Sequence, residues 1–65
     1  MNEHKNLIEN SPSFEIVSDY MKGNSIPLSR NELIKFTDEY VTIYIKLLRE
    51  GWQPINAREL ALNQL

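Results

Sequence analysis

The sequence predicts an all-α fold of three helices, of which the middle one is by far the longest. Two observations carry this prediction. Apolar side chains recur with helical periodicity between Leu33 and Leu48, and capping residues bracket that run at Ser29 and Gly51. The three predicted helices occupy about residues 12–22, 30–50 and 57–65.

Residues 11–65 are expected to form a single helical domain, preceded by a flexible and mostly polar N-terminus at residues 1–10. A chain of 65 residues is near the lower limit for a stable hydrophobic core. It has no cysteine and a single histidine, His4, so disulfides are excluded and no metal site or cofactor is expected. Self-association is the remaining way to stabilise so small a core, and we therefore predict a homodimeric helical bundle.

The first helix has start and stop signals of its own. Ser11 is placed to cap its N-terminus and Pro12 suits the first helical position, where a missing N–H has no cost. Its predicted apolar face comprises Phe14, Val17 and Met21, with Ile16 and Tyr20 beside them. Gly23 is expected just after the helix, in the left-handed conformation that commonly ends one.

The long helix has the clearest boundaries in the sequence. Ser29 and Glu32 form the S-x-x-E pattern of a capping box. At the other end Gly51 is expected to adopt the left-handed conformation, with Trp52 covering Leu47 as in a Schellman ending.

One segment of this helix permits a second interpretation. Residues 40–45, YVTIYI, are all β-branched or aromatic, which is the composition of strands. We favour a helix because the caps lie on either side and the heptad pattern continues through the segment.

The long helix carries apolar side chains on more than half of its circumference. With Leu33, Tyr40 and Leu47 at heptad position d, apolar residues also occupy most of a, e and g, and Ile45 is the one strongly apolar residue on the outer face. We expect this surface to exceed what two short helices can cover, which favours an antiparallel pair of long helices. The predicted partner or dimer interface comprises Leu33, Phe36, Tyr40, Tyr44, Ile45, Leu47 and Trp52.

The third helix is predicted to begin at Ala57, with Asn56 as its cap and Pro54 before it. The order proline, apolar residue, cap residue, two spacers, glutamate and leucine in residues 54–60 is the same as in residues 27–33. Leu60, Ala61 and Leu65 then share a face, and so short a helix must dock on another element.

Composition excludes several classes of function. Seven basic and nine acidic residues are spread along the chain, so nucleic-acid binding is not expected. No signal peptide or membrane span is found, which predicts a cytoplasmic protein without membrane contact. We find no nucleophile beside a base, no metal-ligand cluster and no phosphate-binding glycine loop, and we therefore predict that the protein is not an enzyme.

The function that remains is a small non-enzymatic regulator or adaptor that binds a larger protein partner, as an inhibitor, adaptor or assembly factor. The alternative is a helix-turn-helix DNA-binding protein, built from the long helix and the third helix with Arg58 near the start of the latter. Against it, the expected connection, residues 51–56, is longer than the usual turn of three or four residues.

Overall fold

A computed structural model describes residues 11–65 and contains three helices in that part of the chain. Helix α1 spans Pro12–Gly23, α2 spans Arg30–Arg49 and α3 spans Pro54–Asn63. The all-α prediction is confirmed, and no strand occurs among the described residues. The segment 40–45 lies within α2, so the helical interpretation of that run is confirmed too. The predicted flexible segment, residues 1–10, lies outside the described residues.

Helix α1 begins as predicted and ends one residue later than expected. The Phe14 amide donates to the Ser11 hydroxyl at 3.3 Å, and Pro12 is the first helical residue. Gly23 is still helical, and the left-handed residue is Ser25, with a φ of 55°. The prediction that Gly23 closes the helix is therefore wrong.

The later ending of α1 has a physical reason in its hydrogen bonds. The Ile26 amide donates to the Met21 carbonyl at 2.9 Å and the Ser25 amide to the Lys22 carbonyl at 3.0 Å, which is the Schellman pattern. The Asn24 side-chain amide also donates to the Tyr20 carbonyl at 2.8 Å. These bonds provide partners for the carbonyls of Tyr20, Met21 and Lys22 in the last turn of the helix.

The predicted capping box and the predicted left-handed Gly51 of α2 are confirmed, although the last helical residue is Arg49 and not Glu50. The Glu32 amide donates to the Ser29 hydroxyl at 3.2 Å, and the Ser29 amide donates to Glu32 Oε1 at 2.9 Å, which completes the capping box. Gly51 has a φ of 100°. The amides of Gly51 and Trp52 donate to the carbonyls of Leu48 and Leu47, each at 3.1 Å, in the Schellman arrangement.

Helix α3 begins three residues earlier than predicted, at Pro54. Gln53 is the N-cap in extended conformation, and the Ala57 amide makes the first helical hydrogen bond, to the Gln53 carbonyl at 2.8 Å. Asn56 is therefore inside the helix, and its predicted role as the cap is wrong. Proline at the first helical position presets φ, which is sufficient to start the helix without a side-chain cap.

The core lies where α1 and α3 pack against the same side of α2. Its buried apolar residues are Val17 and Met21 of α1, Tyr40 and Leu47 of α2, and Ala57 and Ala61 of α3. A hydrogen bond of 3.3 Å from Tyr20 Oη to Asn63 Oδ1 also joins the two short helices.

The arrangement has two layers and leaves one side of α2 uncovered. The Cα atoms extend over 33 × 29 × 15 Å. The shortest extent matches two helices in contact, because axes 8–10 Å apart and a Cα radius near 2.3 Å give about 14 Å. No helix between residues 11 and 65 is both long and apolar enough to cross a membrane.

Candidate functional site

The inner face of α2 is built around Tyr40, whose side chain is only 2% exposed. Its ring stacks on Tyr44, with 5.7 Å between centroids and 15° between planes. Burial raises the pKa of the Tyr40 phenol, and the positive charge and hydrogen bond of Arg58 partly oppose that rise. Arg58, which is itself exposed, therefore lies beside the Tyr40 phenol.

Thr37 is the polar residue buried on this inner face. Its hydroxyl donates to the Leu33 carbonyl at 2.7 Å, so the side chain is hydrogen-bonded within its own helix. A buried hydroxyl with a partner causes little loss of stability, and Thr37 can occupy a core position between larger apolar residues.

The structure divides the seven predicted interface residues into two groups. Tyr40 and Leu47 are buried, and Leu33, Phe36 and Tyr44 are partly buried against the core, so these five contribute to the packing of one chain. Ile45 and Trp52 are exposed, at 43% and 46% of their surface.

The two short helices also cover more of α2 than the width of its apolar surface suggested. Besides the residues above, Ile34 is buried, and Val41 and Ile43 are partly buried. Leu48 is the large apolar residue of the four core heptad positions that stays exposed. The uncovered apolar surface is therefore concentrated towards the C-terminal end of α2.

Trp52 in the α2–α3 connection and Ile55 in the first turn of α3 are both exposed, and we call this pair the turn patch. Ile55 is the most exposed large apolar residue of the described chain, at 68%. The sequence did not indicate this exposure. If the helix began at Ala57, Ile55 would precede the cap Asn56 and would pack against the first turn of the helix as a hydrophobic staple. A helix starting at Pro54 instead places it in the first turn.

Polar groups surround the turn patch. An open hollow at this end is lined by Glu50, Gly51, Trp52, Gln53 and Asn56, so the indole lies beside a carboxylate and two amides. The backbone beneath is held by the two Schellman hydrogen bonds and by Pro54. An apolar centre with a polar rim on fixed backbone is the usual composition of a protein-binding surface.

The connection between α2 and α3 comprises four residues, 50–53. The expectation of a longer turn is therefore wrong, because it assumed the later start of α3. This length does fit a helix-turn-helix. The chemistry of α3 does not favour one, because Arg58 is its single basic residue and contacts the Tyr40 phenol.

Metal-binding groups are not gathered in the described part of the chain, where no three His, Cys, Asp or Glu side chains are close enough to hold an ion. Comparisons with protein-family models, with curated proteins and with solved structures give no match.

Proposed function

We propose that this chain is a small non-enzymatic regulator or adaptor that acts by binding a larger protein through the turn patch. The observation that carries the proposal is the exposure of Trp52 and Ile55 on backbone fixed by the Gly51 turn and Pro54. Tryptophan is the residue type most enriched at energetically dominant contacts, and a rigid turn loses little entropy on binding.

The surroundings of the patch indicate the chemistry of the partner. Trp52 and Ile55 require an apolar groove, since their burial supplies the gain in free energy. Glu50 carries a negative charge beside the indole, and Gln53 and Asn56 present amides. The matching surface is an apolar groove with a lysine or arginine at its edge and hydrogen-bonding groups around it.

Affinity capture from the native lysate tests this proposal when variants are compared. The tagged wild type should retain a protein that the variant Trp52→Ala/Ile55→Ser loses. Ile26→Ser is the matched control, because Ile26 is 42% exposed but lies in the α1–α2 connection. Equal retention by all three proteins contradicts the proposal.

The captured protein is then purified and titrated against the chain. Trp52 is the only tryptophan, so a partner without tryptophan allows its fluorescence to report on the turn patch alone. A blue shift on binding is expected because the indole leaves water. Saturable binding with no change in emission would place the contact elsewhere.

Duplex DNA is the second candidate ligand, favoured by the four-residue turn. Binding through phosphate contacts would weaken steeply as salt increases. We expect no retention on duplex DNA at about 50 mM salt. Salt-sensitive retention that Arg58→Ala abolishes would favour the DNA-binding function.

A further inference from the structure

The outer side of α2 carries four exposed residues in a line, Asp38, Thr42, Ile45 and Arg49, which we call the outer stripe. Their spacings of four, three and four residues keep them on one side of the helix, roughly 140° to 200° round from Tyr40 at about 100° per residue. Thr42, Ile45 and Arg49 line one shallow hollow, so their side chains share a surface.

The outer stripe is complementary to itself when reversed. In one direction it reads acid, threonine, isoleucine, base. If a second copy of α2 lies antiparallel, with the two-fold axis midway between positions 42 and 45, Asp38 faces Arg49 of the second copy. Thr42 then faces Ile45 of the second copy, and each contact occurs twice by symmetry.

The residues on either side of the stripe follow the same register. A two-fold axis brings each flank onto the same flank of the second copy. On one flank, Glu39 of the second copy falls about two residues, or roughly 3 Å along the helix axis, from Lys46. On the other flank Val41 meets Leu48. One register therefore pairs four charges with opposite charges and puts apolar groups together.

A parallel arrangement lacks this complementarity. A parallel pair in register would set Asp38 against Asp38 and Arg49 against Arg49, which is repulsive. From this complementarity we propose that the chain forms an antiparallel homodimer through the outer stripe, on the opposite side of α2 from its own core.

The interface is small, about three helical turns per chain, and belongs with weak, reversible contacts. It leaves the turn patch to the protein partner, and the homodimer does not depend on the proposed function. Its test uses the purified chain alone, so the two proposals fail separately.

Charge exchange tests the register directly. Arg49→Asp and Asp38→Arg each set like charges opposite one another in a homodimer, and each should raise the dimer dissociation constant at least about tenfold. In an equimolar mixture of the two variants, every stripe charge again faces an opposite charge. Sedimentation equilibrium should therefore show a heterodimer from two proteins that are monomeric alone.

Two controls keep the result interpretable. The double variant Asp38→Arg/Arg49→Asp should dimerise like the wild type. This result would show that the single variants lose dimerisation because of charge repulsion and not because they fail to fold. Ile45→Ser should weaken the dimer while Ile26→Ser, at an almost equal exposure of 42% against 43%, should not. A wild type that is monomeric up to about 1 mM, or a mixture that does not associate, overturns the proposal.

Discussion

The two sides of α2 have different compositions although both follow the spacing of a coiled coil. The inner side contributes Tyr40 and Leu47 to the core and is covered by α1 and α3 of the same chain. The outer side carries charges with Ile45 near its middle and is covered by neither short helix. Burial of apolar groups holds the fold of one chain together, whereas a short stripe with an acidic and a basic end suits contacts that form and separate.

This difference changes the expected role of the long helix. A single chain already buries Tyr40 and partly buries Phe36 and Tyr44, which were predicted to need a second copy, whereas Trp52 stays exposed. The small side chains of Ala57 and Ala61, both fully buried, let α3 approach α2 closely enough to cover Tyr40. On the proposal made above, folding and association use opposite sides of one helix, and substitutions should separate them.

The largest expected effect is on the inner side. Tyr40→Ala should lower the free energy of unfolding by about 3–5 kcal/mol, because it leaves a cavity where a buried ring was. Ile45→Ser on the outer side should change it by no more than about 0.5 kcal/mol. Urea unfolding followed by circular dichroism, at a concentration where the chain is monomeric, measures both.

Similar losses for these two variants would contradict the assignment, since the outer side would then also hold the fold. Ile26→Ser gives the baseline for removing an exposed isoleucine outside α2.

The next effect distinguishes the two glycines. Gly51 has a φ of 100°, so Gly51→Ala should destabilise the chain by about 1 kcal/mol and disturb the turn beneath Trp52. Gly23 is helical with no atom near an added Cβ, so Gly23→Ala should stabilise it by about 0.5–1 kcal/mol. Thermal melting of both variants checks the opposite signs.

If Gly23→Ala also destabilises, then α1 does not continue through residue 23. In that case Gly23 would be the left-handed residue after a helix that ends at Lys22, as the sequence predicted, and Ser25 would not.

A smaller effect concerns pH on the inner side. Burial raises the folded-state pKa of Tyr40 above its ordinary value of 10.0. As pH rises past 10, the phenol of the unfolded chain loses its proton before that of the folded chain does. The free energy of unfolding therefore decreases between pH 10 and the folded-state pKa. The melting temperature of the wild type should fall more steeply above pH 10 than that of Tyr40→Phe. Parallel curves would show that the phenol is not buried in the fold.

The sequence was sufficient where the signal was local. The capping box at Ser29 and the ending at Gly51 each depend on residues within one turn, and both were predicted correctly. The start of α3 was missed because two local signals, Pro54 and Asn56, competed. Proline presets the helix at once, whereas Asn56 caps only if the preceding residues are extended.

The exposed site was predicted only in part. Trp52 and Ile45 were identified from their residue types and positions, whereas Ile55 depended on the start of α3. The extent of coverage could not be predicted, because the close approach of α3 depends on tertiary packing around Ala57 and Ala61. The apolar residues of a sequence indicate how much surface must be covered. They do not indicate how closely the helices approach one another, which decides how much is covered.

Sedimentation equilibrium of the wild type over a wide range of concentration is the most direct test of two independent sides. We expect a monomer at about 10 µM and a reversible shift to dimer near 100 µM, which corresponds to about −5.5 kcal/mol. A monomer throughout would contradict pairing through the outer stripe. A dimer that persists at the lowest concentration and unfolds as it dissociates would contradict the assignment of the fold to a single chain.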